Sequence, residues 1–374
     1  MPSHRTEPEP SLPAEPPRRA EAAPGPAEAS NGVSEASGRP SDSHGSFTHV
    51  LAFAFGYLAC YVPYAALTKA MTGGDVALDP RPSSLGMLPI TAVASMVSMF
   101  ATLSFLRAFR VVPRRDVLGV PLPFPSRGPL ISGVMTALII PTTTLAYTFE
   151  GVSVPLAMVW MRASVLAVAP LVDVLTGHRI RPLSGVAVAL SVLAAGTSII
   201  GLPLGSGMPL GALLDLAIYV LAYVVRLTLM SRFAKRAGPA GARQFFYEEQ
   251  MVATPILVVF VMLGTLLPGP TGEALRDGFR LALQPLALVL LVLTGVLSQG
   301  SGFFGGLVLV DARESSFTVP INRAASLIAG ALSGTLLFSL GLEPAPRVGE
   351  LVATLGLVGI VTMLGLGERK RKRS

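Results

Sequence analysis

The stretch LALQPLALVLLVLTGVLSQGSGFFGGL, residues 281–307, contains no charged residue and is long enough to cross a membrane as one helix. A helix that crosses the hydrocarbon core of a bilayer needs about 20 mostly apolar residues. Nine further runs share this character; they lie at about 47–70, 84–107, 129–148, 152–176, 183–202, 209–231, 245–267, 316–340 and 349–366. The sequence therefore predicts an all-α integral membrane protein with ten transmembrane helices.

The overall composition agrees with this class and argues against others. Hydrophobic residues make up 51% of the 374 residues and charged residues only 14%, whereas a typical soluble domain carries about 25% charged residues. The net charge of +7 does not indicate nucleic-acid binding, because the basic residues lie in short loops and are not interleaved with aromatic residues. The only cysteine, Cys60, lies in an apolar run, so disulfides have no structural role.

Both ends of the chain differ from the apolar runs. Residues 1–45 are rich in Pro, Glu, Ala and Ser and bury too little apolar surface to fold, so we predict a disordered cytoplasmic tail. This tail lacks the apolar stretch of a signal peptide. Residues 367–374 form a basic cytoplasmic tail, which either contacts anionic lipids or simply fixes the topology.

The charges of the loops predict the orientation. When the N-terminus is placed in the cytoplasm, most loop Lys and Arg residues fall on the cytoplasmic side; those left on the opposite side are Arg81, Arg276, Arg280 and Arg347. An excess of cytoplasmic Lys and Arg is the usual determinant of topology. Ten helices with both termini in the cytoplasm satisfy this distribution, and an odd number of helices does not.

The two halves of the chain share a short motif. GHRIRPLSG (177–185) and GLEPAPRVG (341–349) both fit G-x4-P-x2-G, and each precedes a Gly-rich apolar run. If the chain repeats with the spacing of these two motifs, residues 46–202 are the first five-helix half and residues 203–366 are the second. Because five is odd, the second half enters the membrane from the opposite side, as in the inverted repeats of secondary transporters. Chance similarity between Gly-rich apolar helices is the alternative.

The predicted architecture has ten helices in two halves, with short connections between the third and fourth helices and between the eighth and ninth. Over residues 46–366 this architecture resembles the drug/metabolite transporter superfamily, including its EamA-like members. Stretches similar to its nucleotide-sugar and triose-phosphate transporter branch are FYEEQMVATP (246–255), PINRAASLIAG (320–330) and AALTKAM (65–71). This resemblance implies basic residues in the fourth and ninth helices that bind the substrate. The chain departs from the branch motifs, in ways that leave the substrate open, at Thr68, His178, Glu248 and Glu249.

Four basic residues lie inside the apolar runs, namely Lys69, Arg162, Arg226 and Arg323. Placing such a residue at the centre of a membrane helix costs about 2.5–3.5 kcal/mol, so it usually faces a polar cavity or a partner. Lys69 and Arg226 lie near the ends of their runs, where a long side chain can alternatively reach the lipid headgroups. Arg162 lies roughly 15 Å from either surface at about 1.5 Å per residue. Its alternative role is an ion pair with a buried carboxylate, such as Glu248, Glu249 or Asp215.

Arg162 and Arg323 belong to corresponding helices of the two halves, about one helical turn apart in the repeat frame. Two guanidinium groups that converge on a cavity repel each other unless an anion lies between them, and guanidinium binds carboxylate or phosphate through a planar pair of donors. We therefore predict a bound anion between them. The candidate substrate-binding residues are Lys69, Arg162, Tyr247, Glu248, Glu249, Asn322 and Arg323.

Glu248 and Glu249 follow the expected start of the seventh apolar run, near the cytoplasmic face. The helix dipole alone favours interfacial carboxylates at such a position. Alternatively, one of the two accepts hydrogen bonds from the substrate or carries a coupled proton. Tyr247 beside them offers a hydroxyl and an aromatic face.

These features predict a secondary transporter that moves a small anionic metabolite, phosphorylated or carboxylated, by alternating access. A proton-coupled EamA-type exporter of drugs or of neutral or amino-acid-like metabolites is the alternative. A membrane-embedded enzyme is not expected, since the sequence contains no metal-ligand spacing, nucleophile triad or Walker motif. No cofactor, metal or nucleic-acid partner is expected. The expected location is a bacterial inner membrane, where the protein is a lipid-embedded monomer or homodimer.

Overall fold

The computed structural model describes residues 47–342 apart from 74–75, 80, 118, 146–153, 178–209, 312 and 314, together with isolated positions within 182–193 and 352–363. The described helices belong to one compact unit, residues 42–374. The predicted tails (1–45 and 367–374) and most of the fifth and tenth apolar runs lie outside the described residues. The count of ten helices and the division into two repeats therefore stay predictions.

Nine α-helices are present in the described part of the chain. They are α1 (Phe47–Gly73), α2 (Ser84–Phe105), α3 (Arg127–Leu145), α4 (Val154–Leu175), α5 (Leu210–Leu229), α6 (Gly238–Gly264), α7 (Pro270–Leu281), α8 (Pro285–Leu309) and α9 (Ser315–Ser339). All except α7 are between 19 and 27 residues long. A helix of that minimum length rises about 28 Å, close to the hydrocarbon thickness of about 30 Å.

Five described segments are long and apolar enough to cross a membrane; they are Thr48–Gly73, Ser84–Phe105, Leu210–Gly264, Pro285–Leu309 and Phe317–Ser339. The third of these contains both α5 and α6, which are joined by a π-helical turn (Met230–Ala234) and a 3-10 turn (Lys235–Ala237). The predicted all-α, multi-pass membrane class is therefore confirmed.

The helix bounds agree with the apolar runs to within a few residues, except at α6. This helix begins at Gly238, several residues before the predicted run, because the polar segment GPAGARQ is helical and has a proline in its first turn, where a backbone N–H is not needed. Glu248 and Glu249 consequently lie in the third turn of α6. Both side chains are buried, so the alternative of solvent-exposed carboxylates in the first turn of a helix does not hold.

Two short elements were not expected from the apolar runs. Strands β1 (Arg114–Val117) and β2 (Val120–Pro123) pair as an antiparallel hairpin. Its turn contains Gly119 at φ 81°, a left-handed conformation that glycine adopts without strain. Helix α7 is amphipathic, buries Leu275 and packs against α2. Both elements are too short and too polar to stand out as membrane-length runs.

The eight long helices form a closed ring. Following the most extensive helix–helix contacts, the order around the ring is α1, α8, α2, α6, α3, α5, α4, α9 and back to α1. Helices from residues 46–202 and helices from residues 203–366 alternate at every step of this order. The two predicted halves are therefore interleaved around one centre.

Small residues on α8 allow its neighbours to approach closely. A methyl group on Gly295 would lie 2.6 Å from the carbonyl oxygen of Thr91, and one on Gly305 would lie 3.0 Å from the ring of Tyr57. The hydroxyl of Ser95 also donates a 2.8 Å hydrogen bond to the carbonyl of Gly295. Such close approach through small residues is typical of membrane helices. It fixes α1, α2 and α8 as one wall of the ring.

Candidate functional site: a polar cavity inside the helix ring

A cavity of about 340 Å³ lies inside the ring, and the described side chains that line it come from every ring helix except α4. These described lining residues include three cations (Lys69, Arg226 and Arg323) and five tyrosines, and they include no carboxylate. Charged side chains inside membrane helices usually face a polar cavity of this kind and serve a function there.

The cavity runs from one end of the ring to a buried apolar cluster near the other end, where Leu309 of that cluster is its last described lining residue on α8. Thr72, in the last turn of α1, and Ser84, the first residue of α2, line it at the end that we call the open end. At the opposite end, which we call the closed end, buried apolar side chains pack together in one cluster that includes Met230, Phe246, Leu309 and Val319.

Helix α1 supplies a continuous polar stripe to the cavity. Tyr57, Tyr61, Tyr64, Thr68 and Thr72 recur every three or four residues and therefore share one face of the helix. The rings of Tyr57 and Tyr61 are stacked with centroids 5.2 Å apart, and those of Tyr61 and Tyr64 meet edge to face at 5.6 Å. The hydroxyls of Thr68 and Thr72 donate to carbonyls one turn earlier, at 2.8 and 2.9 Å. These contacts order the stripe within the helix itself.

Three of the predicted site residues, Lys69, Asn322 and Arg323, line this cavity. Lys69 is partly buried near the end of α1. Asn322 donates a 3.1 Å hydrogen bond to the carbonyl of Gly305, which ties α9 to α8. The guanidinium carbon of Arg323 lies 4.8 Å from the ring centre of Tyr223 on α5, a cation–π contact. The fold thus brings predicted site residues from distant parts of the chain to one cavity.

Arg226 also lines the cavity, although its position near the end of an apolar run also suits a contact with the lipid headgroups. The interpretation that it reaches the headgroups is wrong, because the residue is only 5% exposed and pairs with Glu249. Its Nε and Nη2 donate to the two carboxylate oxygens at 2.7 and 3.1 Å. Glu249 also accepts hydrogen bonds from the hydroxyls of Ser132 at 2.6 Å and Thr136 at 2.9 Å. The carboxylate is therefore held by four protein donors.

Glu248 is engaged by the protein in a different place. One of its oxygens accepts hydrogen bonds from the backbone N–H and the hydroxyl of Ser126, at 2.6 and 2.7 Å, directly before the start of α3. The other accepts from Gln244 at 2.8 Å. Tyr247, Glu248 and Glu249 are not among the described residues that line the cavity. The binding site proposed below therefore does not include them.

The side chain of Arg162 lies outside the described residues, although its backbone belongs to α4. Helix α4 packs between α5 and α9 in the ring. These two helices carry Arg226 and Arg323. The predicted pairing of Arg162 and Arg323 around an anion stays a prediction.

Sequence reasoning missed the tyrosines of α5 and did not include Arg226 among the candidate substrate-binding residues. Tyr219, Tyr223 and Arg226 line the cavity from this helix and follow each other at spacings of four and three residues. The same spacing relates the tyrosines of α1. A polar or aromatic stripe with helical periodicity inside an apolar run is the sequence signal that would have identified both walls.

A second polar cluster lies at the closed end of the ring. The ammonium of Lys235, in the turn between α5 and α6, donates to the carbonyl of Arg313 at 2.7 Å and to the hydroxyl of Ser315 at 3.1 Å. The backbone N–H of Ser315 donates to the carboxylate of Asp173 on α4 at 3.0 Å. We call Asp173, Lys235 and Ser315 the closed-end network. It connects α4, α9 and the α5–α6 turn.

No family model matches the chain, and no curated protein matches it. Among solved structures, the chain is similar to one described as "Crystal structure of protein", with a TM-score of 0.51 and 15% sequence identity. The similarity covers 86% of this chain and 98% of that chain. At this level of identity the likeness concerns the fold alone, and it carries no information about activity.

Proposed function

We propose that this protein is a secondary transporter that moves a small anionic metabolite, phosphorylated or carboxylated, across the membrane by alternating access. The observation that carries the proposal is the cavity with three cations and, among the described lining residues, no carboxylate. Glu249, which pairs with Arg226, is not among the described lining residues, so the charged side chains that the described lining presents are cations. Such a lining attracts an anionic substrate that enters from water.

Arg323 is the residue that we expect to contact the anion directly. It is 4% exposed and sits two turns into α9. Its contact with the face of Tyr223 fixes the plane of the guanidinium, and a fixed guanidinium presents paired N–H groups that suit a carboxylate or phosphate. Lys69 adds a compact ammonium, which suits phosphate as a point charge.

The inverted repeat is supported by the order of the helices in the ring. In the predicted repeat, the first four apolar runs correspond to the sixth to ninth runs. In terms of helices, α1 then exchanges with α5, α2 with α6, α3 with α8, and α4 with α9. This exchange converts every neighbouring pair of the ring into a neighbouring pair; α2–α6 and α4–α9 are converted into themselves, and the other pairs into one another. An inverted repeat with a central site has this property, and it is the usual architecture of secondary transporters.

Alternating access requires a state that is open at one end and sealed at the other. The cavity reaches the open end at Thr72 and Ser84, and the closed-end network and the apolar cluster lie at the opposite end. With the predicted topology, the open end faces away from the cytoplasm. Transport then requires the closed end to separate while the open end contracts.

The proposed family is the drug/metabolite transporter superfamily, and short stretches of the chain resemble its nucleotide-sugar and triose-phosphate transporter branch. The support is the resemblance of PINRAASLIAG and AALTKAM, since Asn322, Arg323 and Lys69 in these stretches line the cavity. A bacterial inner membrane is the proposed location, with lipids as partners and a monomer or homodimer as the functional form.

A proton-coupled exporter is the second candidate, and Asp215 favours it. This residue of α5 is 4% exposed, and its Oδ2 has no hydrogen-bond partner among the described residues. A buried carboxylate in a membrane helix commonly marks a proton pathway. If Asp215→Asn abolishes transport driven by a proton gradient but leaves anion exchange intact, this candidate is favoured.

The direct test is transport by the purified full chain in proteoliposomes. We expect uptake of radiolabelled glycerol 3-phosphate or benzoate, and Arg323→Gln should reduce the initial rate by at least about tenfold, as expected when a charged partner of the substrate is lost. Arg280→Gln is the matched control, because Arg280 is exposed on α7 and pairs with Asp277. Uptake of neutral or cationic compounds that persists in Arg323→Gln would contradict the proposal.

A further inference from the structure

The cavity concentrates aromatic side chains as strongly as it concentrates positive charge. The chain has seven tyrosines, and five of them line this one cavity. Three belong to α1 and two to α5. In the ring, α1 packs against α8 and α9, whereas α5 packs against α3 and α4. The tyrosines therefore form two separate walls of the cavity.

The tyrosines of each wall hold one another in place. On α1, Tyr61 contacts Tyr57 face to face and Tyr64 edge to face. On α5, the rings of Tyr219 and Tyr223 lie 4.8 Å apart with a tilt of 57°. Aromatic rings in such pairs are restrained in orientation and offer rigid apolar surface. These walls suit a ligand that also has a flat ring.

The two walls differ in how much of each ring remains accessible. Tyr219 and Tyr223 are 3% and 7% exposed, and the guanidinium of Arg323 already lies over Tyr223. Tyr61 and Tyr64 are only partly buried. A ligand ring therefore has more room to contact the α1 wall, while its acidic group reaches Arg323 beside the α5 wall.

A compact and strongly hydrated anion would use the cations but leave the ring surfaces in contact with water. Ligand pockets of about 300–1,000 Å³ typically combine apolar or aromatic walls with a few polar groups that orient the ligand. The cavity of about 340 Å³ lies near the lower end of this range. Its size and lining fit a small molecule with one ring and one acidic group.

We propose that the transported anion carries an aromatic ring beside its acidic group, and that Tyr61 and Tyr64 of the α1 wall select for that ring. This inference rests on the proposed transport of an anion and narrows its substrate class. The acidic group binds at Arg323, and the ring packs on the α1 wall. Tyr61 and Tyr64 are thus specificity-determining residues.

The test compares ligands of equal charge that differ only in the ring. Binding of phenyl phosphate and of cyclohexyl phosphate to the purified full chain is measured by calorimetry, with benzoate and cyclohexanecarboxylate as a second pair. We expect each aromatic compound to bind about two- to tenfold more tightly than its saturated counterpart, the factor typical of an aromatic–aromatic contact.

Variants separate the ring of the tyrosine from its hydroxyl. Tyr61→Phe keeps the ring and should keep the preference for phenyl phosphate, whereas Tyr61→Leu should bring the ratio of affinities close to one. Tyr64→Phe and Tyr64→Leu repeat the comparison at a second position, in case Tyr61→Leu does not fold. Tyr247→Leu removes a tyrosine outside the described cavity lining and should leave the ratio unchanged.

The outcomes distinguish this inference from the proposed function. Equal affinities for phenyl and cyclohexyl phosphate in the unmodified protein overturn the aromatic preference but leave anion transport in place. A preference that is lost in Tyr61→Phe also overturns it, because the hydroxyl and not the ring would then be the selective group. Failure of all four anions to bind contradicts the proposed function itself. Benzyl alcohol that binds as tightly as phenyl phosphate overturns the role of the acidic group.

Discussion

Arg226 and Glu249 form a two-point ion pair in the wall of the central cavity, with Nε–Oε1 and Nη2–Oε2 distances of 2.7 and 3.1 Å. The pair joins α5 to α6, and the hydroxyls of Ser132 and Thr136 connect it to α3. Buried charges are tolerated when their geometry is good and their remaining hydrogen-bonding groups are satisfied. The pair therefore fastens three neighbouring ring helices beside the site.

Removal of the carboxylate should destabilise the protein. We expect Glu249→Ala to cost about 3–5 kcal/mol, because it leaves a buried guanidinium without its counterion. The melting temperature of the purified full chain, followed by intrinsic fluorescence in detergent, should fall accordingly.

The double variant Arg226→Leu with Glu249→Leu provides the control for this ion pair. It replaces both charges by apolar groups and should lose less stability than Glu249→Ala, since no unpaired charge remains. Losses that are simply additive over the single variants would show that the two residues do not stabilise each other.

Glu248 should matter for stability and not for the ligand. Its oxygens accept hydrogen bonds from Ser126, before the first turn of α3, and from Gln244. Because hydrogen bonds to a charged group contribute about 1.5–3 kcal/mol each, Glu248→Ala should lower the melting temperature while the dissociation constant for phenyl phosphate stays the same. A weaker affinity at an unchanged melting temperature would return Glu248 to the substrate site.

The membrane class and the unusual position of several residues that line the candidate site could be predicted because each rests on a local signal. An apolar run of membrane length identifies α1, α2 or α8 by itself, and a charge within such a run, as at Arg323, is unusual enough to be noticed. The distance of Glu248 and Glu249 from the helix start could not be predicted, because the polar segment before them conceals the start of α6 at Gly238. Apolar runs do not mark helix starts in polar sequence.

The pairing of the charges could not be predicted, because it depends on the order of the helices around the ring. Arg226 meets Glu249 only because α3, α5 and α6 are neighbours. Position along one helix indicated a headgroup contact for Arg226, and packing between helices overrode that indication. The tyrosines lie on helices whose composition is typical of membrane spans. Only their spacing along the chain indicates that they share one face of each helix.

Arg162 provides a separate test of the predicted anion site. If it faces the anion together with Arg323, Arg162→Leu should abolish uptake, and Arg162→Lys should restore it only in part because an ammonium lacks the planar pair of donors. Initial rates in proteoliposomes measure both effects, with Arg280→Gln again as the control. Normal uptake by Arg162→Leu would show that the substrate does not bind between the two guanidinium groups.

The closed-end network should control which end of the ring is open. Lys235 is 8% exposed and holds Ser315, whose N–H is in turn held by Asp173. Lys235→Ala removes at least two hydrogen bonds, to Arg313 and Ser315, that the proposed opening of the closed end would have to break. Each lost bond of about 1 kcal/mol should shift the equilibrium roughly fivefold toward opening of the closed end.

Single cysteines can report this shift in a background of Cys60→Ser, which removes the chain's only cysteine. A cysteine at Thr72 should react readily with a maleimide, and one at Val319, which is 0% exposed, should react slowly. Adding Lys235→Ala should slow the first reaction and speed the second. Arg243→Ala, which removes an exposed cation from α6, should change neither rate. If Lys235→Ala instead speeds both reactions, the network stabilises the fold as a whole and does not gate the cavity.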